Sequence, residues 1–278
     1  MRYSLGCRLG YRVTEPTSFV FNVEVAGIPQ QRVLHERLVV TPEVPLETYV
    51  MPESGNRYVR LRAQSGPVLL SYEAEVDLLV HRADPATVGE TPLPELAFEV
   101  LPHLYPSRYC QSDRLERAAQ SDFGQTERGH ARVTALCNWI YEWIDYSRGT
   151  SDAHTSACDT LIDRAGVCRD FAHLGIALCR ALGIPARFVS AYAYQLQPPD
   201  FHAVFEAWIG DRWYLFDPTR QAALDGIVRI GVGRDASEVS FASIHGEAEP
   251  TEMEVRIEAA EEDRSRTRTT DAISTATR

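Results

Sequence analysis

The sequence predicts an α+β chain: an antiparallel β-sandwich followed by a domain in which one helix packs on an antiparallel sheet. Three observations predict it. Short alternating runs separated by turn clusters occupy Tyr3 to about His81. Helical periodicity begins only beyond a proline-rich stretch, and strand-like runs return after residue 186. With 278 residues the chain can bury two modest cores, which suits two domains and a tail.

In chain order, the alternating runs are Ser18–Val25, Val33–Val40, Tyr58–Leu61 and Val68–Val80, separated by turn formers at Gly27–Pro29 and Glu53–Asn56. Such spacing suits a sandwich. Asp84–Pro106 holds five prolines (Pro85, Pro92, Pro94, Pro102, Pro106) and no clear period, so it is expected to cross between domains. In Glu127–Tyr146, Val133, Leu136, Cys137, Ile140, Trp143 and Ile144 fall on one helical stripe. A shorter helix is expected over Ser156–Asp163. The next, Val167–Leu182, carries Phe171, Leu174, Leu178 and Leu182, with Gly183 closing it and Pro185 preventing its resumption. Strands follow at Arg187–Tyr194, Ala203–Ile209 and Trp213–Phe216. Glu261–Arg278 is charged and threonine-rich with little to bury, and is expected to be disordered. The expected organisation is 1–103 for the sandwich, 104–246 for the second domain and 247–278 for a C-terminal strand and tail.

The net charge of -11 argues against nucleic acid, because phosphate binding rests on clustered cations. No apolar stretch approaches the roughly 18–20 residues of a membrane helix, and Met1–Arg12 lacks the apolar core of a secretory signal. No membrane partner and a cytoplasmic location follow as the expectation. The six cysteines (7, 110, 137, 158, 168, 179) are scattered, without close metal-ligand pairs, and read as reduced thiols. Every basic residue is arginine. A chain without lysine cannot be crosslinked through its own side-chain amines.

Among the cysteines, only Cys168 combines a helix start with a glycine just before it, at Gly166. Unpaired N–H groups and the helix macrodipole favour negative charge there, and so favour a thiolate. The same N–H groups can hold an oxyanion when the sulfur attacks a carbonyl. The other five cysteines read as buried structural thiols. A nucleophilic thiol needs a base, and His202 opens the run HAVFEAWIGDRWYLFDPT. Gly210-Asp211 suits a type II′ hairpin turn. If Ile209 pairs with Arg212, Trp208 faces Trp213, Val204 faces Asp217, and His202 becomes the diagonal neighbour of Asp217 at roughly 7–8 Å. A one-residue slip would put the two on opposite faces. Asp217 would then orient one imidazole nitrogen and leave the other for Cys168.

Taken in order, GVCRDFAHLGIALCRALGIPARFVSAY, HAVFEAW, WYLFDPT and GVGRDASEV at 231–239 resemble the core of the transglutaminase-like superfamily, in its bacterial cysteine-protease branch. The resemblance runs from about Tyr146 to Gly246, and the β-rich region before it resembles the N-terminal module of that branch. It implies Cys168 as nucleophile, His202 as its histidine and Asp217 as its aspartate, on a papain-like fold. One departure is visible: Val204 stands where family members often have tryptophan, which would alter the wall of the cleft.

Asp170 suits the first turn of its helix, His173 a packed position, Trp208 and Trp213 a cross-strand pair, and GVGRD a structural turn without the spacing or lysine of a nucleotide loop. The expected activity is attack on amide or peptide carbonyls of a protein or peptide substrate through a thioester, with hydrolysis favoured over transamidation. A non-catalytic scaffold retaining the fold is the reading from another class. Thiol chemistry needs no cofactor, and neither a metal site nor a calcium loop of EF-hand spacing is evident.

Overall fold

The structure, a computed structural model, describes residues 1–260 and 271–276. The first part of the chain forms β1 (Arg2–Val13), β2 (Thr17–Phe21), β3 (Gln31–Thr41), β4 (Glu47–Val50), β5 (Arg57–Ala63), β6 (Gly66–Leu78) and β7 (His81–Ala83). Three short 3₁₀ turns between Pro85 and Leu104 carry the chain to α1 (Ser112–Phe123) and α2 (His130–Trp143). Then come β8 (Asp145–Tyr146), α3 (Ala157–Asp163), β9 (Ala165–Gly166), α4 (Cys168–Ala181), β10 (Ala186–Ala193), β11 (Phe201–Ile209), β12 (Arg212–Phe216) and β13 (Ile227–Gly233). The last described elements are β14 (Ala242–His245), β15 (Ala248–Ala259) and β16 (Ala272–Ser274).

The expected sandwich is present, as two four-stranded sheets ordered β15-β1-β6-β3 and β14-β2-β5-β4. Alternation drives it: in β6 every second residue from Val68 to Leu78 is buried, facing Leu5, Leu9, Phe19 and Phe21 in a shared core. Each sheet takes one strand from the far end of the chain. β15 pairs with β1 in the register Cys7↔Val255, and β14 pairs with β2 as Ala242↔Phe21. The segment after residue 241 thus completes the N-terminal sandwich instead of forming a unit of its own.

A third four-stranded sheet, β12-β11-β10-β13, carries α4 on one face. Ala203, Phe205 and Ala207 meet Phe171, Leu174 and Leu178 in one core. Gly175 sets how closely helix and strand approach, since a Cβ there would lie 2.6 Å from the Phe205 ring. Glu206 on β11, fully buried, accepts from Arg187 Nε on β10 at 2.7 Å and from Arg229 on β13, which ties three strands together. The sheet also packs on the sandwich through one edge. Val228 and Ile230 of β13 lie in the sandwich core, and Tyr192 donates its hydroxyl hydrogen bond to the Val23 carbonyl at 2.7 Å.

The expectation of disorder over Glu261–Arg278 is corrected in part. Ala272–Ser274 forms β16, pairing with β7, and Ala272, Ile273 and Ser274 are fully buried. Composition averaged over the tail concealed this short apolar patch, whose burial repays its ordering. Residues 261–270 and 277–278 lie outside the described residues. Among the described residues, no helix is long and apolar enough to cross a membrane.

Candidate active site

Cys168 is the first residue of α4. The helix begins there because the Asp170 carboxylate, at N3, turns back to accept the Val167 backbone N–H at 2.9 Å, the side-chain half of a capping box. Gly166 makes room for it: a Cβ at that position would come within 2.7 Å of Asp170 Cβ. Asp170 is fully buried and also accepts from Arg169 Nε at 3.1 Å, so it has the structural role expected of it. Cys168 is half-buried, whereas Cys7, Cys110, Cys137, Cys158 and Cys179 are all buried. Burial pushes the Cys7 thiol up to about 11 and the Cys110 thiol up to about 12.

His202 and Asp217 reach each other through the β11–β12 hairpin. Its register is Ile209↔Arg212, Trp208↔Trp213 and Phe205↔Phe216, as the turn chemistry requires. Gly210 takes φ 63°, and Asp211 keeps a negative φ, the combination of a type II′ turn. His202 Nε2 lies 2.9 Å from Asp217 Oδ2, with both side chains almost fully buried. The second carboxylate oxygen accepts from the Thr219 N–H at 2.9 Å and the Thr219 hydroxyl at 2.6 Å. Asp217 thus occupies Nε2, and Nδ1 is the ring nitrogen left for Cys168, which lines the same cavities as His202.

The electrostatics favour an imidazolium. Burial pushes the His202 pKa down, but the Asp217 carboxylate and the Cys168 side chain outweigh it and raise it to about 10. For Asp217 burial acts upward, and the imidazole and Thr219 bonds prevail and hold the carboxyl below its ordinary range.

Tyr146 also belongs to the site, and the sequence reading did not single it out. β8 pairs in parallel with β9, so Tyr146 stands opposite Gly166, two residues before the cysteine. Ser147 N–H donates to the Gly166 carbonyl at 3.0 Å and extends that pairing. Tyr146 and Cys168 line the same cavity, and burial together with the thiol pushes the phenol up to about 12. A two-residue strand has no period to detect, which is why pattern reading passes over it.

Around these residues two cavities meet. One, of about 530 Å³, is lined by Tyr146, Arg148, Gln197 and Gln221; the other, of about 430 Å³, by Phe188, Ile230, Phe241 and Met253. Cys168, Asp200, Phe201 and His202 border both. Val204 borders neither. It is fully buried with Val189 and Leu215, so the departure at this position alters the core behind the histidine, not the cleft wall. His173 is packed against Tyr109 and accepts from the Ala236 N–H, away from the sulfur chemistry.

Comparison with known proteins agrees with this architecture. The family model for the transglutaminase-like superfamily core matches residues 116–218, and that for the bacterial transglutaminase N-terminal domain matches residues 1–91. The crystal structure of a "Putative Cysteine Protease" from Cytophaga hutchinsonii is 42% identical with a TM-score of 0.94, covering 99% of this chain and 98% of that one. The chain belongs to the transglutaminase-like superfamily. An uncharacterized protein of Mycobacterium leprae is 30% identical over 165 residues, 56% of this chain and 59% of that protein. One of Mycobacterium tuberculosis is 33% identical over 119 residues, 37% of this chain and 38% of that protein. The chain therefore spans less than two thirds of the length of these curated relatives. Membership of the superfamily accounts for the α+β architecture and for the β-rich N-terminal region.

Proposed function

We propose that this protein is a thiol enzyme in which Cys168 attacks an amide or peptide carbonyl of a protein or peptide, His202 transfers the proton, and Asp217 orients and stabilises the imidazolium. The observation that carries the reading is the buried His202–Asp217 contact at 2.9 Å beside a half-buried cysteine at a helix start. A merely structural histidine has no need of a buried carboxylate and a thiol at once. In the first step the thiolate forms a C–S bond, and the carbonyl oxygen gains negative charge and can accept a hydrogen bond from the Cys168 N–H, since the first helical N–H groups lack intrahelical partners. Tyr146, which lines the same cavity as Cys168 and pairs with Gly166 just before it, carries the second donor we assign to that oxygen. The C–N bond then breaks, and the amine leaves with the proton from His202.

Water resolves the resulting thioester in our reading, giving an amidase or protease; the partial exposure of Cys168 and the two adjoining cavities favour solvent access. The six free cysteines support a reducing, cytoplasmic setting. Alkylation tests the thiol directly. Near neutral pH, iodoacetamide should modify Cys168 faster than any of the five buried thiols, as read by peptide mass spectrometry. Uniform labelling, or protection of Cys168 in the folded protein, would count against an activated nucleophile.

A further inference from the structure

Of the two cavities that meet at Cys168, one is chemically unlike the other. The arm away from Tyr146 has a floor of Phe188, Ile230 and Val239, each almost fully buried, and a rim of Phe201, Phe241 and Met253. Phe201 and Phe241 stack with ring centroids 5.1 Å apart, forming a continuous aromatic edge. Phe241 and Met253 are 38% and 51% exposed, large apolar side chains left on the surface at the mouth of a cleft. The charged groups that border this arm already have partners. Arg169 bonds the Asp152 carbonyl and the Asp170 carboxylate, and Asp200 accepts the Phe201 N–H at 2.8 Å and lies 3.7 Å from Arg148.

The rim has an unusual origin. Met253 lies on β15, opposite Leu9 of the sandwich, and Phe241 immediately precedes β14, which pairs with β2. Ile230 lies on β13, whose apolar side chains pack into the sandwich core. One wall of the cleft beside the cysteine is thus built on the N-terminal β-module.

We infer that this arm is a specificity subsite that takes a bulky apolar side chain, aromatic or long aliphatic, carried by the substrate next to the carbonyl that Cys168 attacks, with Phe241 and Met253 as its selecting residues. The inference rests on the proposed thiol chemistry and adds its substrate class. A volume of about 430 Å³ accommodates a phenyl group with room for the adjoining chain. The flexible thioether of Met253 can close over such a group. Ser190, whose hydroxyl has no partner among the described residues, borders the same arm and can bond an amide carried beside that side chain. The sandwich then acts as part of the substrate-binding surface.

The test compares two electrophiles on the full chain: chloroacetamide and N-(2-phenylethyl)chloroacetamide. Each Cys168 alkylation rate is divided by the rate with free cysteine to remove intrinsic reactivity. The expected result is at least a tenfold advantage for the phenylethyl compound, with saturation. Phe241→Asp and Met253→Asp should bring that ratio towards one, the chloroacetamide rate of each variant serving as its own reference, and Met253→Leu should keep the ratio. Both positions are exposed enough that the fold should tolerate the change, and unchanged melting temperatures check this. A ratio near one in the unaltered protein, or one that survives both aspartates, overturns the subsite. Failure of chloroacetamide to favour Cys168 over the other thiols strikes the thiol reading itself, and this inference falls with it.

Discussion

Replacing Asp217 by asparagine separates orientation from folding. The carboxylate faces only donors: His202 Nε2 at 2.9 Å and Ala222 N–H at 3.3 Å on one oxygen, Thr219 N–H at 2.9 Å and the Thr219 hydroxyl at 2.6 Å on the other. An amide nitrogen in either position must point its hydrogens at a backbone N–H that cannot turn away. One orphaned buried donor costs about 1–3 kcal/mol, a loss that lowers the melting temperature by a few degrees and leaves the protein folded. The chemical loss is larger. Asp217 is the largest of the influences that raise His202 to about 10 in spite of burial, so its charge is what chiefly stabilises the imidazolium. A barrier raised by about 2.7 kcal/mol slows a reaction about a hundredfold, and loss of the carboxylate charge facing the imidazolium is expected to cost at least that. An amide can also hold the imidazole in the wrong tautomer. We therefore expect Asp217→Asn to lose at least about a hundredfold in turnover on any accepted peptide, with Cys168 alkylation near neutral pH slowed as well. Melting temperature, turnover and alkylation are measured on the same preparation. A folded variant with full turnover, or one whose loss is entirely unfolding, would refute the assigned role.

Two further outcomes follow from the buried groups. Burial holds His103 and His173 at about 3 and His130 at about 4, so the unfolded chain binds protons below 6.5 that the folded one refuses; stability should fall as pH drops from 6.5, with a limiting slope of about 4 kcal/mol per pH unit for the three together. His202 has the opposite sign: its contribution is fully present below 6.5 and is lost as pH rises through about 10, giving a stability maximum near 6.5 that urea titrations across the pH range can check. A flat profile between pH 7 and 5 would contradict the buried neutral histidines. Gly175→Ala should destabilise by about 1–3 kcal/mol because its Cβ meets the Phe205 ring at 2.6 Å, and Phe205→Leu in the same chain should recover part of that loss in thermal unfolding. Independent, additive effects would show that the helix–strand approach is not set there.

The hairpin was legible from the sequence because its determinants are local. Gly210 specifies the turn, the turn specifies the register, and the register carries His202 to Asp217. Cys168 was legible for the same reason, since Gly166 and Asp170 together mark a helix start. Elements that depend on distant partners were not. α1 shows only Leu115, Ala119 and Phe123 as a thin stripe among charged residues, and its helix is supported by packing on α4. A single C-terminal strand was expected after residue 246, β14 was not, and nothing local says that β14 and β15 close sheets begun at residues 2 and 17. Tyr146 was missed because β8 is two residues long, and its position is set by the parallel partner Ala165–Gly166. The apolar arm escaped for a related reason: Phe241 and Met253 come to the cysteine only through the sandwich.

The central claim, that Cys168 carries the acyl group as a thioester, is tested most directly by acid-quenching the protein with a panel of peptide and glutamine acyl donors. Intact and peptide mass spectrometry then locates any adduct. The account predicts an increment equal to the acyl group on Cys168, discharged by water and by an added primary amine, and absent together with all turnover in Cys168→Ala. Full turnover in Cys168→Ala, or an adduct on another residue, would contradict it.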